Sequence, residues 1–205
     1  SVSSGFSAPI SAGDLNGDGT DDLIVDPCCT SGLGFWLGGT SGKTAFDQLD
    51  GYTVFSELRA GYDLTGDGYV DVIAQDIGGG SWSYLFPGPF PEGVVTGTQV
   101  QVWSTYAGNA QCCAIVGDVN GDGSTDVGAR YAAFDSQESA ILLLYGPFDG
   151  SASLDAPDRR WREPQGIDVS LPSGVGDYNG DGVGDLTTVW GNGTTTALLL
   201  LLGVR

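Results

Sequence analysis

Four stretches of this 205-residue chain align without a gap and decide its fold: DLNGDGTDDLIV at 14–25, DLTGDGYVDVIA at 63–74, DVNGDGSTDVGA at 118–129 and DYNGDGVGDLTT at 177–188. Each is followed by a short apolar run, a turn and a second apolar run that ends in glycine. Strand-forming residues separated by Gly, Asp and Asn predict a β protein with many tight turns. We therefore predict four repeats of about four short strands, in which the Asp-rich loop joins the first two strands.

The predicted repeats cover about 7–54, 55–110, 111–169 and 170–205, and together they form one domain over 1–205. A lone four-stranded sheet of this size buries too little surface to be stable, so the repeats must pack on one another. This favours an all-β propeller of four-stranded blades over a solenoid, whose repeats are usually shorter and more uniform. The last repeat ends after its third strand, the run 197–202, which is predicted to be fully buried. Residues 1–6 either supply the missing outer strand and close the ring or form a frayed terminus.

Each loop has oxygen-bearing side chains at positions 1, 3, 5 and 9, counted from its first Asp, and glycine at position 6. Ca²⁺ is held by about six to eight oxygen atoms, and glycine permits the sharp turn that brings alternate side chains to one side. Residue type varies at position 7, as expected where only the backbone carbonyl binds the ion. We predict up to four Ca²⁺ ions, one per repeat. The predicted ligands are Asp14, Asn16, Asp18, Thr20 and Asp22 in loop one; Asp63, Thr65, Asp67, Tyr69 and Asp71 in loop two; Asp118, Asn120, Asp122, Ser124 and Asp126 in loop three; and Asp177, Asn179, Asp181, Val183 and Asp185 in loop four.

These loops differ from the helical EF-hand, which needs Glu at position 12. Position 12 here is Val25, Ala74, Ala129 or Thr188, and the last ligand is the Asp at position 9, followed by a strand. The alternative is an Asp/Asn/Gly turn that binds no metal, since such turns are common. Four copies favour the metal site, and loop two is the weakest copy because it has Thr at position 3.

The pattern G-D-x-N-G-D-G-x-x-D-[LV], with an apolar strand that ends near G-P-F, resembles the FG-GAP family, which forms the β-propeller of integrin α subunits and of related bacterial and fungal proteins. The resemblance implies four-stranded blades that each hold Ca²⁺ in the first hairpin. That family usually closes with seven blades, so four repeats imply a compact four-bladed ring, part of a larger propeller, or a half that completes itself by association. Loop two departs from the pattern, with Tyr62 in place of the Gly before Asp63. The matching residues are Gly13–Leu23, Gly117–Val127 and Gly176–Leu186, with Gly88–Phe90 and Gly146–Phe148.

The formal net charge is −19, from 26 acidic and 7 basic residues, and 13 of the acidic residues lie in the four loops. This charge argues against nucleic acid and anionic membrane surfaces as partners. The run 197–202 is far shorter than the roughly 20 residues of a membrane-spanning helix, so no membrane insertion is expected. The chain has no histidine, which excludes His-based general-base or triad chemistry. We therefore do not expect an enzyme.

The four cysteines form two adjacent pairs, Cys28–Cys29 and Cys112–Cys113. An even number in a chain expected to be secreted or at the cell surface suggests disulfides. Vicinal disulfides, bonds between chains and free buried thiols all remain open. Asn192-Gly193-Thr194 matches an N-glycosylation sequon.

Two functions remain after these exclusions. The first is an extracellular, Ca²⁺-binding β-propeller that acts as an adhesion or ligand-recognition module for a protein or a glycan. The second is a structural subunit of an extracellular assembly or filament, in which the chain forms a homo-oligomer. The blade count and the cysteine pairs favour the second, and the loops that a propeller presents around one face favour the first.

Overall fold

The computed structural model describes residues 10–25, 34–39, 43–45, 55–76, 83–90, 101–103, 110–132, 139–150, 152–164 and 166–203. These residues form sixteen strands and no helix, which confirms the all-β prediction. The described part of the chain also holds no helix that is long and apolar enough to cross a membrane. Residues 1–6, Cys28 and Cys29 lie outside the described residues.

The strands form four antiparallel sheets, and the chain divides into two compact units. The first unit, Ser1–Gly80 with Tyr84–Val102, holds sheets one and two, except for Ser83 and Trp103, which are end residues of two strands of sheet two. Consecutive strands are neighbours in both sheets. Sheet one consists of β1 (Ile10–Gly13), β2 (Asp22–Val25), β3 (Gly34–Trp36) and β4 (Lys43–Ala45), and sheet two of β5 (Phe55–Tyr62), β6 (Asp71–Asp76), β7 (Ser83–Phe86) and β8 (Gln101–Trp103).

The second unit, Ser81–Ser83 with Trp103–Arg205, holds sheets three and four. In sheet four, β13 (Asp168–Val169) and β14 (Ser173–Gly176) pair with opposite ends of β15 (Asp185–Gly191) along one edge, and β16 (Thr196–Leu201) pairs along the other. This sheet is therefore three strand positions wide among the described residues. Sheet three consists of β9 (Ala110–Gly117), β10 (Asp126–Ala132), β11 (Ser139–Leu144) and β12 (Arg159–Arg162).

Within each unit, the strand that precedes one Asp-rich loop lies against the strand that precedes the next: β1 against β5, and β9 against β14. The approach of β14 to β9 needs glycine, since a Cβ on Gly174 would lie 2.7 Å from the carbonyl carbon of Val116. Apolar side chains fill the space between the paired sheets. The core of the first unit comprises Ala12, Leu15, Ile24, Val72, Ala74, Tyr84, Phe86 and Phe90, and that of the second Ala114, Val116, Val119, Leu143 and Leu186.

One face of sheet four is exposed and apolar. Leu198 is 72% exposed, and Val189, Leu200 and Leu202 are also exposed. The expectation that the run 197–202 is fully buried is therefore wrong. The side chains of a strand alternate between two faces, and only the face that carries Leu199 and Leu201 is partly covered. By contrast, every residue of β11, the third strand of sheet three, is buried.

Candidate cation-binding loops

The predicted ligand residues lie in four equivalent hairpin loops or at the first residue of the strand that follows. Loops one to four join β1 to β2, β5 to β6, β9 to β10 and β14 to β15. Next to each loop, the register of the hairpin shifts, as at a β-bulge. The structure therefore places all four repeats of the motif in the same local setting, which is what a tight Asp/Asn/Gly turn between strands requires.

The Asp at position 1 organises the backbone of its own loop. In loop three, Oδ1 of Asp118 accepts hydrogen bonds from the amides of Gly121 (2.6 Å) and Asp122 (3.1 Å), and Oδ2 accepts one from Gly123 (2.9 Å). The same three bonds recur in the other three loops, at Asp14, Asp63 and Asp177. Hydrogen bonds of amides to a carboxylate are charge-assisted and strong, so this residue holds the curled backbone in place.

Positions 3 and 5 are joined to each other in three of the loops. In loop three, Asn120 accepts a hydrogen bond from the Asp122 amide (2.9 Å) and donates its side-chain amide to Oδ2 of Asp122 (2.8 Å). Oδ1 of Asp122 accepts the amide of Ser124 at 2.7 Å. Loops one and four repeat this arrangement.

Loop two departs at position 3, where Thr65 replaces asparagine. The hydroxyl oxygen of Thr65 is buried and has no hydrogen-bond partner among the described residues. A buried hydroxyl without a partner costs free energy. A cation bound in the loop would give this oxygen a partner.

The Asp at position 9 is completely buried in every loop. In loop three, Oδ2 of Asp126 accepts the amide of Val119 at 2.8 Å, and Oδ1 accepts the amide of Gly146 at 3.0 Å. These two bonds, which we call the Asp latch, tie the loop to the segment after the third strand of the same repeat, which is β11 in loop three. The equivalent latches join Asp22 to Leu15 and Gly38, Asp71 to Leu64 and Gly88, and Asp185 to Tyr178 and Gly203.

The glycine of the latch has no room for a side chain. A Cβ on Gly146 would lie 2.5 Å from the carbonyl oxygen of Thr125, and one on Gly88 would lie 2.5 Å from that of Val70. Sequence reasoning noted that the second apolar run of each repeat ends in glycine but assigned that glycine no role. Its recurrence in all four repeats was the signal that could have revealed it.

The departure of loop two before Asp63 has a structural explanation. In loops one, three and four, the glycine before the first Asp has a positive φ, for example 82° at Gly117. In loop two that place is taken by Tyr62, and the positive φ, 95°, moves one residue earlier to Gly61. Glycine adopts this conformation without the steric cost that other residues have, so loop two keeps the bulge with a one-residue offset.

The carboxylates of a loop affect one another. Burial, together with the negative charges of Asp122 and Asp118, raises the pKa of Asp126 from 3.8 to about 6, against the opposing effect of its amide partners. Burial likewise raises the pKa of Asp71, and the charge of Asp67 adds to this. At position 5, the side-chain amide of Asn16 lowers the pKa of Asp18. A bound cation would relieve this mutual repulsion.

The donor set fits Ca²⁺ in its chemistry, although the carboxylates do not converge. Within the described residues, no three acidic, histidine or cysteine side chains are grouped so that they could hold a metal ion. The cause is that position 9 faces its latch amides and position 1 faces the amides of the loop. Several carboxylate oxygens, such as Oδ2 of Asp118, accept one hydrogen bond only and so keep a second lone pair, and positions 3 and 7 add neutral oxygens. These hard oxygen donors are the ones that Ca²⁺ takes.

Cys113 and Asn192 lie outside the loops. Cys113, in β9, is buried and disulfide-bonded, so the free-thiol alternative is wrong for this residue. The side chain of its partner is outside the described residues. Asn192 lies in the turn between β15 and β16, where its Oδ1 accepts hydrogen bonds from the hydroxyl and amide of Thr194 and from the Thr195 amide.

In comparisons with known proteins, no family model matches this chain, and no curated protein is significantly similar to it. The resemblance to the FG-GAP family therefore stays a prediction based on the loop motif.

Proposed function

We propose that this chain is an extracellular Ca²⁺-binding β-propeller of the FG-GAP type, which recognises a protein or a glycan. The observation that carries the proposal is that the hydrogen bonds of the position-1 and position-9 Asp recur in all four hairpin loops, each of which carries oxygen-bearing side chains at the same positions. The contacts of β1 with β5 and of β9 with β14 suit blades arranged around an axis. A four-bladed ring and part of a larger propeller both agree with these contacts.

The choice of Ca²⁺ is supported by the chemistry of the loops. Oxygen donors alone, without histidine or thiolate, select a hard cation. The unpaired hydroxyl of Thr65 and the mutual repulsion of the acidic side chains are both costs that a bound cation would offset. An extracellular location is supported by the disulfide of Cys113, since disulfides persist in oxidising compartments.

Replacing Thr65 with valine tests the Ca²⁺ proposal in loop two. Without Ca²⁺, we expect Thr65→Val to raise the free energy of unfolding by about 1 kcal/mol, because a buried hydroxyl without a partner is removed. With Ca²⁺, we expect the affinity of loop two to fall by at least fivefold, because one oxygen ligand is lost. Urea denaturation in calcium-free buffer and calorimetric Ca²⁺ titration measure the two effects.

The matched control is Thr65→Ser, which keeps the hydroxyl and removes only the methyl group. It should retain more of the Ca²⁺ affinity than the valine variant. A valine variant that binds Ca²⁺ as tightly as the unmodified protein would contradict the role of this hydroxyl. Failure of the unmodified protein to bind any Ca²⁺ would contradict the proposed function as a whole.

Ligand recognition is supported by a concave site in the second unit, with a volume of about 360 Å³. Its lining includes Tyr145, Phe148, Asp149 and Asp158. Aromatic rings beside a few polar groups are usual in binding sites for small organic groups such as sugars. A glycan array, run with and without chelator, tests this site when the unmodified protein is compared with Asp149→Ala. A glycan that both proteins bind equally would exclude this concave site as its binding site.

The second candidate, a structural subunit of an assembly, is favoured by the exposed apolar face of sheet four. Exposed apolar surface of this kind often marks an association site. Mass measurement of the native protein at several concentrations, with and without reductant, separates the two candidates. A monomer under all conditions would exclude the structural subunit.

A further inference from the structure

Loops three and four are joined by a direct hydrogen bond within the second unit. The amide of Gly184, at position 8 of loop four, donates to the backbone carbonyl of Asp118, at position 1 of loop three, over 2.7 Å. Gly184 lies between Val183 and Asp185, which are positions 7 and 9 of loop four. The bond therefore connects the ligand-bearing segment of one loop with the first ligand residue of the other.

The donor of this bond and a predicted ligand belong to one peptide group. The carbonyl of Val183 is the backbone ligand proposed for loop four, and the amide of Gly184 is the other half of the same planar, conjugated unit. A cation at that carbonyl oxygen withdraws electron density from the amide and makes its N–H a stronger donor, because connected hydrogen-bonding groups polarise one another. Cation binding in loop four would thus strengthen the bond to Asp118.

The two loops are also in close contact at Gly184. A Cβ on Gly184 would lie 2.7 Å from the carbonyl oxygen of Asp118 and 3.2 Å from its carbonyl carbon. On the other side, the latch of loop four holds Gly203 against Asp185 at 2.8 Å. Loop four is therefore hydrogen-bonded to loop three on one side and to the segment after β16 on the other. Ordering of one loop would then restrict the other.

We propose that loops three and four are a coupled pair, in which Ca²⁺ bound by one loop raises the Ca²⁺ affinity of the other. The inference rests on the proposed function, because it concerns the regulation of the same loops. Linkage requires the effect to be reciprocal and equal in both directions. We expect each loop to bind Ca²⁺ at least fivefold more tightly when the other loop is filled.

The test follows each loop separately in the full chain. The backbone amide resonances of Gly123 and Gly182, at position 6 of loops three and four, report Ca²⁺ binding in an NMR titration. Asp181→Asn removes one carboxylate charge from loop four while it keeps an oxygen that can accept the Val183 amide. We expect this variant to lower the Ca²⁺ affinity of loop three by at least fivefold, and we expect Asp122→Asn to lower the Ca²⁺ affinity of loop four by the same factor.

A second variant disrupts the contact without changing any ligand. Gly184→Ala pushes the loops apart. In a protein that carries Gly184→Ala, the further substitution Asp181→Asn should lower the Ca²⁺ affinity of loop three by less than twofold. Gly150→Ala is the matched control, since an added Cβ at Gly150 meets nothing within 4 Å, and the coupling should persist in it.

The outcomes separate this inference from the function on which it rests. If Ca²⁺ moves neither glycine resonance in the unmodified protein, these two loops bind no Ca²⁺ and the coupling is wrong. The proposed function is wrong as well only if the amide resonances of Gly19 and Gly68, at position 6 of loops one and two, also stay unchanged. Suppose that both loops bind Ca²⁺, but that Asp181→Asn and Asp122→Asn each change the Ca²⁺ affinity of the unsubstituted loop by less than twofold. The coupling is then wrong, and the proposed function stands. Should Gly184→Ala fail to fold, this pair of Asp-to-Asn variants still decides the question.

Discussion

Replacing Asp126 with alanine is expected to lower the free energy of unfolding by about 3 kcal/mol or more. The side chain is completely buried, and its two oxygens accept the amides of Val119 and Gly146. The substitution leaves both amides without an acceptor in a buried place, and each unsatisfied group costs about 1–3 kcal/mol. Urea denaturation of the two proteins in the same calcium-free buffer measures the difference, independently of any metal.

The control for this prediction is Asp149→Ala, which removes an exposed carboxylate of the same unit. Its effect should stay within about 0.5 kcal/mol, as is usual for surface substitutions. Equal losses in the two variants would show that the Asp latch contributes nothing beyond net charge, and would contradict its structural role.

Removal of Ca²⁺ is expected to lower the melting temperature by roughly 20–40 °C. An ion that binds only the native state contributes about 2.7 kcal/mol when its free concentration is 100 times its dissociation constant. With four such loops the total is on the order of 10 kcal/mol, and each kcal/mol corresponds to about 2–4 °C in a domain of this size. Thermal denaturation with Ca²⁺ and with excess chelator measures the shift.

General charge screening has to be separated from specific binding, because the net charge of the chain is −19. Sodium chloride at matched ionic strength, added to the chelated protein, should restore only a small part of the lost stability, since bound ions act beyond screening. A protein carrying Asn in place of the position-5 Asp in all four loops should lose most of the response to chelator. Superimposable melting curves with Ca²⁺ and with chelator would contradict metal binding in these loops.

The sequence predicts the hairpin loops well because the information is local. Glycine at position 6 and the alternating oxygen-bearing side chains act within about nine residues, and strand formers flank every loop. The Asp latch could not be predicted in the same way. Asp126 finds its second partner 20 residues further on, at Gly146, and this pairing depends on how the third strand folds back beside the loop. The motif therefore predicted a ligand role for the residue, which stays a prediction, and missed its buried hydrogen bonds.

Burial of the last strand was predicted wrongly for a related reason. A run of leucines shows that a strand is apolar, but burial depends on whether another layer covers each face. Leu198 and Leu199 are neighbours of the same type, yet Leu198 is exposed and Leu199 is partly covered. The packing of one sheet on the next is a property of the whole fold. Composition and spacing contain no information on it.

The Asp latch has a consequence for how such a chain could evolve. Both partners of every latch belong to the same stretch of about 25–30 residues, from the start of a loop to the glycine that follows the third strand of the repeat. A tandem duplication or deletion of a whole repeat would therefore carry each acceptor together with its donors. The number of repeats can change in one genetic step without leaving a buried carboxylate unsatisfied, and the copy number can vary more freely than the interior of any single repeat.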